Sequence, residues 1–186
     1  MTKIIKHLLA VTALVALLPA CSTLAPQYAP QVENVNSLKE SATKDLKTGD
    51  FTIQKKQNSI SLRGTSLKSP NEDSYAVYLQ KAITSELNKA KLLNPLSPRV
   101  ITANIVENDL DATGFSEGEG EMEVAFKIEE HGKVIFNKNI KAKITWPSSF
   151  IGAVAIPNAQ QSYPKLVKQL LANLYVDQDF VKALKN

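Results

Sequence analysis

The order of apolar patterns along the chain predicts an α+β fold, a two-layer sandwich with helices on an antiparallel sheet of about four strands. Apolar residues recur at every second position over 100–107, 121–129 and 134–144, which indicates three half-buried strands. They recur at every third or fourth position over 75–90 and 162–174, which indicates two amphipathic helices. The long helix follows the first core strand, and the second helix is C-terminal.

The first part of this pattern begins with short strands over 51–53 and 59–67, which Gln57-Asn58 could join as a hairpin. Ser69, Pro70 and Glu72 then fit the start of the long helix as cap, first helical residue and capping-box partner. A single acidic residue interrupts the apolar face of this helix. That face consists of Tyr75, Leu79, Ala82, Ile83, Glu86, Leu87 and Ala90.

The two longest strands are predicted to form a hairpin that turns at His131-Gly132. One face of this hairpin is apolar, and the other pairs an acidic strand with a basic one, which favours antiparallel register. Residues 108–120 are predicted to be a loop or a frayed hairpin. A short helix after Asp177 is expected to close the chain.

The apolar segment 146–157, WPSSFIGAVAIP, is predicted to be a loop before a helix that starts near Ser162, because Pro164 is tolerated only in a first turn. Two interpretations of its large residues stay open. Either they cap one end of the core, which we favour, or they form a patch that contacts a partner protein or lipid. The residues concerned are Trp146, Phe150, Ile151, Val154 and Ile156.

The first 20 residues are typical of a secretory signal peptide. Lys3 and Lys6 precede an apolar run of 11 residues over 8–18, interrupted only by Thr12. This run is too short to cross a bilayer core, which needs about 20 apolar residues. We therefore expect residues 1–20 to be cleaved on export.

The end of this segment, Leu18-Pro19-Ala20-Cys21, resembles the lipobox of bacterial lipoprotein precursors. In those precursors the cysteine thiol is diacylated, the chain is cut before the cysteine, and the new amino group is acylated. The resemblance implies that Cys21 is the lipidated first residue, and three acyl chains hold a protein far more firmly than one. Ser22 stands where inner-membrane lipoproteins typically have Asp, so it resembles an outer-membrane sorting signal of a Gram-negative envelope.

Cleavage changes the charge of the chain. The full sequence has 22 Lys and Arg against 18 Asp and Glu, and without Lys3 and Lys6 the formal charge falls from +4 to +2. We therefore expect no nucleic-acid partner. Residues 21–48 are predicted to be a lipidated N-terminus and a flexible tether, with a segment packed along the domain as the alternative. Residues 49–186 are predicted to form a single domain.

The mature chain offers little for catalysis. Cys21 is its only cysteine and His131 its only histidine, so no Ser-His-Asp triad or cysteine nucleophile can be assembled. An acidic cluster lacks the Asp/Asn-rich loop with a fixed glycine that an EF-hand requires, and it is predicted to be a solvated, flexible hairpin. The cluster consists of Asp109, Asp111, Glu117, Glu119, Glu121 and Glu123. We expect no enzymatic activity, no cofactor and no metal.

The order of elements after the lipobox resembles that of small outer-membrane lipoproteins of the YajG type and, more loosely, the lipopolysaccharide-assembly lipoprotein LptE. Residues 100–186 carry this resemblance, from the polar strand ITANIVEN to the helix that ends LLANLYVDQDFVKAL. The resemblance implies an α+β fold and an envelope location. It implies no activity, and an LptE-like role would imply docking inside or beside a β-barrel.

Together these features predict an outer-membrane lipoprotein with a non-catalytic, periplasm-facing domain. Its partners are expected to be the membrane, through the lipid anchor, and an envelope protein, in a binding or assembly-accessory role. The alternative is an accessory lipoprotein of a lipid or lipopolysaccharide transport or assembly system. A hydrolase that uses the acidic cluster is a third class.

Overall fold

The chain folds into seven strands and four helices over residues 22–185, which are the residues that the computed structural model describes. In chain order these elements are β1 (Ser22–Leu24), α1 (Val32–Ser41), β2 (Lys47–Ile53), β3 (Ile60–Leu62), β4 (Thr65–Lys68), α2 (Tyr75–Ala90), β5 (Arg99–Asp111), β6 (Glu117–Glu130), β7 (Lys133–Pro147), α3 (Gly152–Tyr175) and α4 (Gln178–Lys185). A single turn of 3-10 helix, Lys55–Gln57, lies between β2 and β3.

The main sheet has four strands in the order β2-β5-β6-β7, and a small sheet has the order β1-β4-β3. The predicted α+β sandwich is therefore confirmed, with α2 and α3 packed against the main sheet. One edge differs from the expected pattern, because β2 runs parallel to β5. A parallel pair needs a long crossover, and here β3, β4 and α2 supply it.

The hairpin of β6 and β7 has the predicted register. Its turn places Glu130 opposite Lys133, and His131 and Gly132 both have positive φ (49° and 79°), as a two-residue hairpin turn requires. On the solvent face, Glu121 and Glu123 form ion pairs with the lysines opposite them on β7, at 3.0 and 2.9 Å. The apolar residues of β6 point to the core: Met122, Val124, Phe126 and Ile128.

The apolar face of α2 is also confirmed, since all seven of its predicted residues are buried, Glu86 included. The start of the helix is different. Ser74 is the N-cap and accepts a hydrogen bond from the Val77 amide, whereas Glu72 and Asp73 have positive φ and belong to the preceding turn. The predicted helix start, with a capping box at 69–72, is therefore wrong.

The expected hairpin between 51–53 and 59–67 does not form. Within 59–68 the chain makes its own hairpin, β3–β4, which turns at Arg63-Gly64, where both φ angles are positive. The segment 108–120 is also more regular than predicted, because β5 and β6 continue to Asp111 and Glu117. The inward side of these strand ends packs on the core through Leu110, so the strands do not fray.

The C-terminal helix begins ten residues earlier than predicted. α3 starts at Gly152 and runs through both Pro157 and Pro164. A proline inside a helix costs about 3 kcal/mol. That cost is offset by a long buried face that includes Ala155, Ala159 and Tyr163, since burial stabilises by about 25 cal/mol per Å² of apolar surface.

The predicted tether is not a tether over the part of it that the structure describes. From residue 22 onward the chain packs on the domain: β1 pairs with β4 in parallel register, and α1 lies against α2 and α3. Ala25, Leu38 and Leu46 are almost fully buried. Residues 22–48 thus adopt the alternative arrangement, a segment packed along the domain. A few apolar residues suffice to hold the segment there, because neighbouring helices provide a groove for them. The predicted signal peptide and Cys21 lie outside the described residues.

Candidate functional site

The segment 146–157 divides between the core and the surface. Trp146 is 4% exposed and belongs to the core, and Ile156 packs against the core from the first part of α3. The Trp146 ring lies directly over β6, where a Cβ on Gly118 would stand 2.6 Å from its Cε2 atom. Only glycine leaves enough space there. For Trp146 and Ile156 the structure shows the core-capping arrangement.

The other three residues of the predicted patch point outward. Phe150, Ile151 and Val154 are 74%, 60% and 45% exposed. A fourth residue, which the sequence analysis missed, joins them: Phe115, at the tip of the β5–β6 hairpin, is 76% exposed and stacks on Phe150 with ring centroids 5.6 Å apart. We call these four residues the apolar tip. The signal for Phe115 was a lone aromatic residue in a short, otherwise small and polar hairpin loop.

Arg63 holds the apolar tip in place. From the β3–β4 turn its guanidinium donates hydrogen bonds to three carbonyl oxygens: Ala112 at 2.6 Å, Phe150 at 2.7 Å and Gly114 at 3.0 Å. A rigid guanidinium fork suits this arrangement better than an ammonium group. The two loops are also joined directly, because the Ser148 amide donates to the Ser116 carbonyl at 2.8 Å.

The first described residues of the chain lie at this same end of the domain. β1 runs parallel to β4, with Ser22 opposite Ser66, so Ser22 is the β1 residue nearest the Arg63-Gly64 turn. Gln160 of α3 also reaches β1, where its Nε2 donates to the Leu24 carbonyl oxygen at 2.5 Å. Ser22 itself is exposed. The chain that precedes Ser22 therefore joins the domain beside the turn that carries Arg63.

The acidic cluster lies on the solvent face of the main sheet as regular strand residues. Glu121 faces Asp109 and Glu119 faces Asp111, so like charges stand opposite each other on β5 and β6. Together with Lys143 on β7 they line a shallow groove of about 250 Å³. Within residues 22–185 no group of three or more His, Cys, Asp or Glu side chains is arranged to hold a metal ion.

The chain has one buried carboxylate, Glu86, among its described residues, and it organises the N-terminal segment. The Tyr28 hydroxyl donates to its Oε1 at 2.5 Å, the Gln31 amide at 3.1 Å, and Asn34 Nδ2 at 3.3 Å. Gln31 is the N-cap residue of α1 and makes no side-chain cap of its own. Glu86 therefore lies at the positive end of α1, where a negative charge is stabilising.

Burial raises the pKa of the Glu86 carboxyl above its ordinary value, although the hydrogen bonds from Tyr28 and Gln31 work to lower it. Burial and the charge of Glu86 likewise raise the pKa of the Tyr28 hydroxyl. The pKa of the Tyr175 hydroxyl is raised as well, by burial first and by the charge of Glu86 second. This hydroxyl has no hydrogen bond of good geometry within residues 22–185. The signal in the sequence was a lone carboxylate on an otherwise apolar helix face.

Comparison with known proteins shows the fold but not a family. No family model matches the chain, and no curated protein matches it. A solved structure of a DUF330 protein from Xanthomonas campestris is similar with a TM-score of 0.53 and 10% identity, over 83% of this chain and 95% of that one. A protein of Caulobacter crescentus, named as a candidate lipoprotein, has a TM-score of 0.49 and 12% identity, over 83% of this chain and 98% of that one.

The similarity to the DUF330 protein covers most of both chains, so the α+β architecture is a known fold. At 10% identity the similarity says nothing about shared residues at a site. Within residues 22–185 none of the helices is both long enough and apolar enough to span a membrane.

Proposed function

We propose that the protein is an outer-membrane lipoprotein, anchored through acylated Cys21, with a periplasm-facing domain that has a non-catalytic binding or assembly-accessory role. The observation that carries the proposal is the position of the only cysteine. It stands at the end of Leu18-Pro19-Ala20-Cys21, directly after a charged segment and an apolar run of 11 residues. Export signals have this order of charge, apolar run and small residues.

The structure supports the proposal in two ways. Ser22, the residue that we assign to sorting, is exposed at the start of β1, so a sorting factor can reach it. The described core also lies wholly within the mature chain, since its residues run from Ala25 to Leu184. Removal of residues 1–20 therefore takes nothing from the described core.

The anchor is tested by Cys21→Ala in the full-length chain. We expect loss of fatty-acid incorporation, retention of the uncleaved precursor, and loss of the protein from the outer-membrane fraction. Ser41→Ala, a comparable small change in the mature chain, serves as the control and should fractionate as the wild type does. Normal processing and fractionation of Cys21→Ala would contradict the proposal.

Sorting is tested separately with Ser22→Asp and Ser22→Thr. We expect the aspartate variant to remain in the inner membrane and the threonine variant to reach the outer membrane. If both variants reach the outer membrane, residue 22 does not direct sorting in this protein. Acylation of Cys21 would stand in that case, because fatty-acid labelling reports on it independently.

The accessory role is tested by crosslinking in intact cells followed by mass spectrometry of the purified protein. Recovery of one envelope protein in defined stoichiometry supports the role. If that protein belongs to a lipid or lipopolysaccharide transport system, the alternative function is favoured. Recovery of no partner contradicts both.

A hydrolase is tested by alanine at Asp109, Asp111, Glu117 and Glu119, which we expect to leave the cellular phenotype of the wild type unchanged.

A further inference from the structure

The apolar tip lies on two separate stretches of chain that contain no charged residue, and the Arg63 guanidinium of the β3–β4 turn contacts both of them. Residues 112–116 at the end of the β5–β6 hairpin contain none, and neither do the 21 residues 144–164. Beside Phe150, Ile151 and Val154, the exposed residues of this second stretch include Ala153 and Pro157. Charges are ordinarily spread over a soluble surface, so their absence from both stretches, together with exposed aromatic rings, marks this end as unusual.

The same end carries the point where the chain leaves toward Cys21. Because β1 begins at Ser22, only one peptide bond separates the lipid attachment site from a strand that is hydrogen-bonded to the domain. Adjacent Cα atoms are about 3.8 Å apart. An acylated Cys21 therefore leaves no slack, and the bilayer must lie against whatever surface surrounds the start of β1.

We propose that the apolar tip, Phe115, Phe150, Ile151 and Val154, inserts into the lipid bilayer beside the acylated N-terminus and fixes the orientation of the domain. This inference rests on the proposed acylation of Cys21. Apolar side chains at an interface enter the boundary between headgroups and acyl chains to a depth of about 5–10 Å. The tip has the composition for this, with two aromatic rings and two branched aliphatic residues.

The surrounding charges set how deep the tip enters and which lipids it tolerates. Asp111 closes the base of the hairpin loop, where its Oδ1 accepts hydrogen bonds from the amide and hydroxyl of Thr113 at 2.7 and 2.6 Å. Glu117 begins the next strand and is exposed. These carboxylates must stay in the aqueous layer, so only the tip inserts. We expect its insertion to depend on apolar contact and to occur in zwitterionic membranes.

Two features pre-organise the tip. The three hydrogen bonds of Arg63 tie both loops to the β3–β4 turn, and the rings of Phe115 and Phe150 lie 4° from parallel. A rigid tip loses little conformational entropy on insertion. The domain would then stand on its end, with the His131-Gly132 turn away from the membrane by the length of β6, 14 residues or about 43 Å.

The test uses depth-dependent fluorescence quenching in phosphatidylcholine vesicles that contain brominated acyl chains. Ala153→Cys places a single label beside the tip and leaves its four residues intact. Lys133→Cys places the same label at the far end of the sheet. Both positions are exposed. In the mature lipidated protein Cys21 is consumed by its thioether, so the introduced cysteine is the only free thiol.

We expect the label at position 153 to be quenched by the brominated chains about twofold or more, since it lies at the acyl boundary. The label at position 133 should keep the intensity that it has in vesicles without bromine. Phe150→Asp should abolish the quenching at position 153, because a charge is costly at that depth. Val134→Asp, the same change at an exposed apolar residue of the far end, should leave it intact.

Equal quenching of the labels at positions 153 and 133 by the brominated chains would overturn the inference. So would a stable dimer of the unlipidated chain in which the label at 153 is shielded, because a second copy would then cover the tip. Intact mass decides the acylation of Cys21 separately. If Cys21 is not acylated, the proposed function fails. The tip is then tested in a chain that carries a hexahistidine tag directly before Ser22, and this tag binds nickel-chelating lipids in the vesicles. The same criteria apply to the quenching of the labels at positions 153 and 133.

Discussion

The hydrogen bond from Tyr28 to the buried Glu86 predicts a measurable, pH-dependent contribution to stability. In Tyr28→Phe the ring stays and only the hydroxyl is lost, which removes the 2.5 Å hydrogen bond to Oε1. A hydrogen bond to a charged partner contributes about 1.5–3 kcal/mol, and one between neutral groups about 0.5–1.5 kcal/mol. We therefore expect Tyr28→Phe to lower the free energy of unfolding by about 2 kcal/mol when Glu86 is ionised.

The pH dependence follows from the raised pKa of Glu86. Because the folded pKa lies above the unfolded value of about 4.3, the stability linked to this group is complete below that value and is lost as pH rises through the folded pKa. The Tyr28 hydroxyl lowers the folded pKa of Glu86, so Tyr28→Phe raises it further. The difference in the free energy of unfolding between variant and wild type should grow with pH, from about 1 kcal/mol near pH 4 to about 2 kcal/mol once Glu86 is ionised.

The assay is urea unfolding of residues 22–186, followed by circular dichroism at a series of pH values. With a slope of about 2 kcal/mol per molar urea, the expected difference shifts the midpoint by about 1 M. Tyr75→Phe is the matched control, because the buried Tyr75 hydroxyl has no hydrogen-bond partner within residues 22–185. Its removal should be neutral or stabilising. A midpoint for Tyr28→Phe that equals the wild type at every pH would refute the packing of the N-terminal segment on Glu86.

Three further outcomes test other parts of the fold. Arg63→Lys should raise amide hydrogen exchange in the two loops that it holds by about tenfold, while the midpoint of unfolding changes little. Gly118→Ala should cost about 1–3 kcal/mol by displacing the Trp146 ring, whereas Gly152→Ala, where nothing lies closer than 4.0 Å, should leave the thermal midpoint unchanged or raise it. Asp177→Ala removes the cap of α4 and should lower the free energy of unfolding by about 1 kcal/mol. Partial burial raises the pKa of Asp177, but Lys138 and the cap amides lower it more. The difference in stability between variant and wild type should therefore vanish as pH falls through the folded pKa.

Those elements that could be predicted from the sequence have patterns that repeat over many residues. In β6 the alternation from Met122 to Ile128 specifies the buried face, and the glycine after His131 suits the positive φ of the turn. A register error of one residue would expose every apolar side chain of the strand. The face of α2 was equally clear, because its apolar spacing extends over four turns.

The elements that could not be predicted depend on what their neighbours provide. α1 has two buried apolar residues, Val35 and Leu38, too few to indicate a helix without the groove between α2 and α3. α3 contains two prolines that argue locally against a helix, and its packing on the sheet outweighs them. Propensity is a weak guide where tertiary contacts decide the conformation.

The candidate site divides in the same way. The hairpin and the helix face are local features, so the sequence by itself determined them as periodicities, whereas the likeness of Leu18-Pro19-Ala20-Cys21 to a lipobox stays a prediction. Only the tertiary structure decided that Trp146 enters the core while Phe150 stacks on Phe115 at the surface. It also decided that Tyr28, 58 residues away along the chain, meets Glu86. The physical reason is that burial depends on which surfaces meet, and those surfaces come from residues far apart in the sequence.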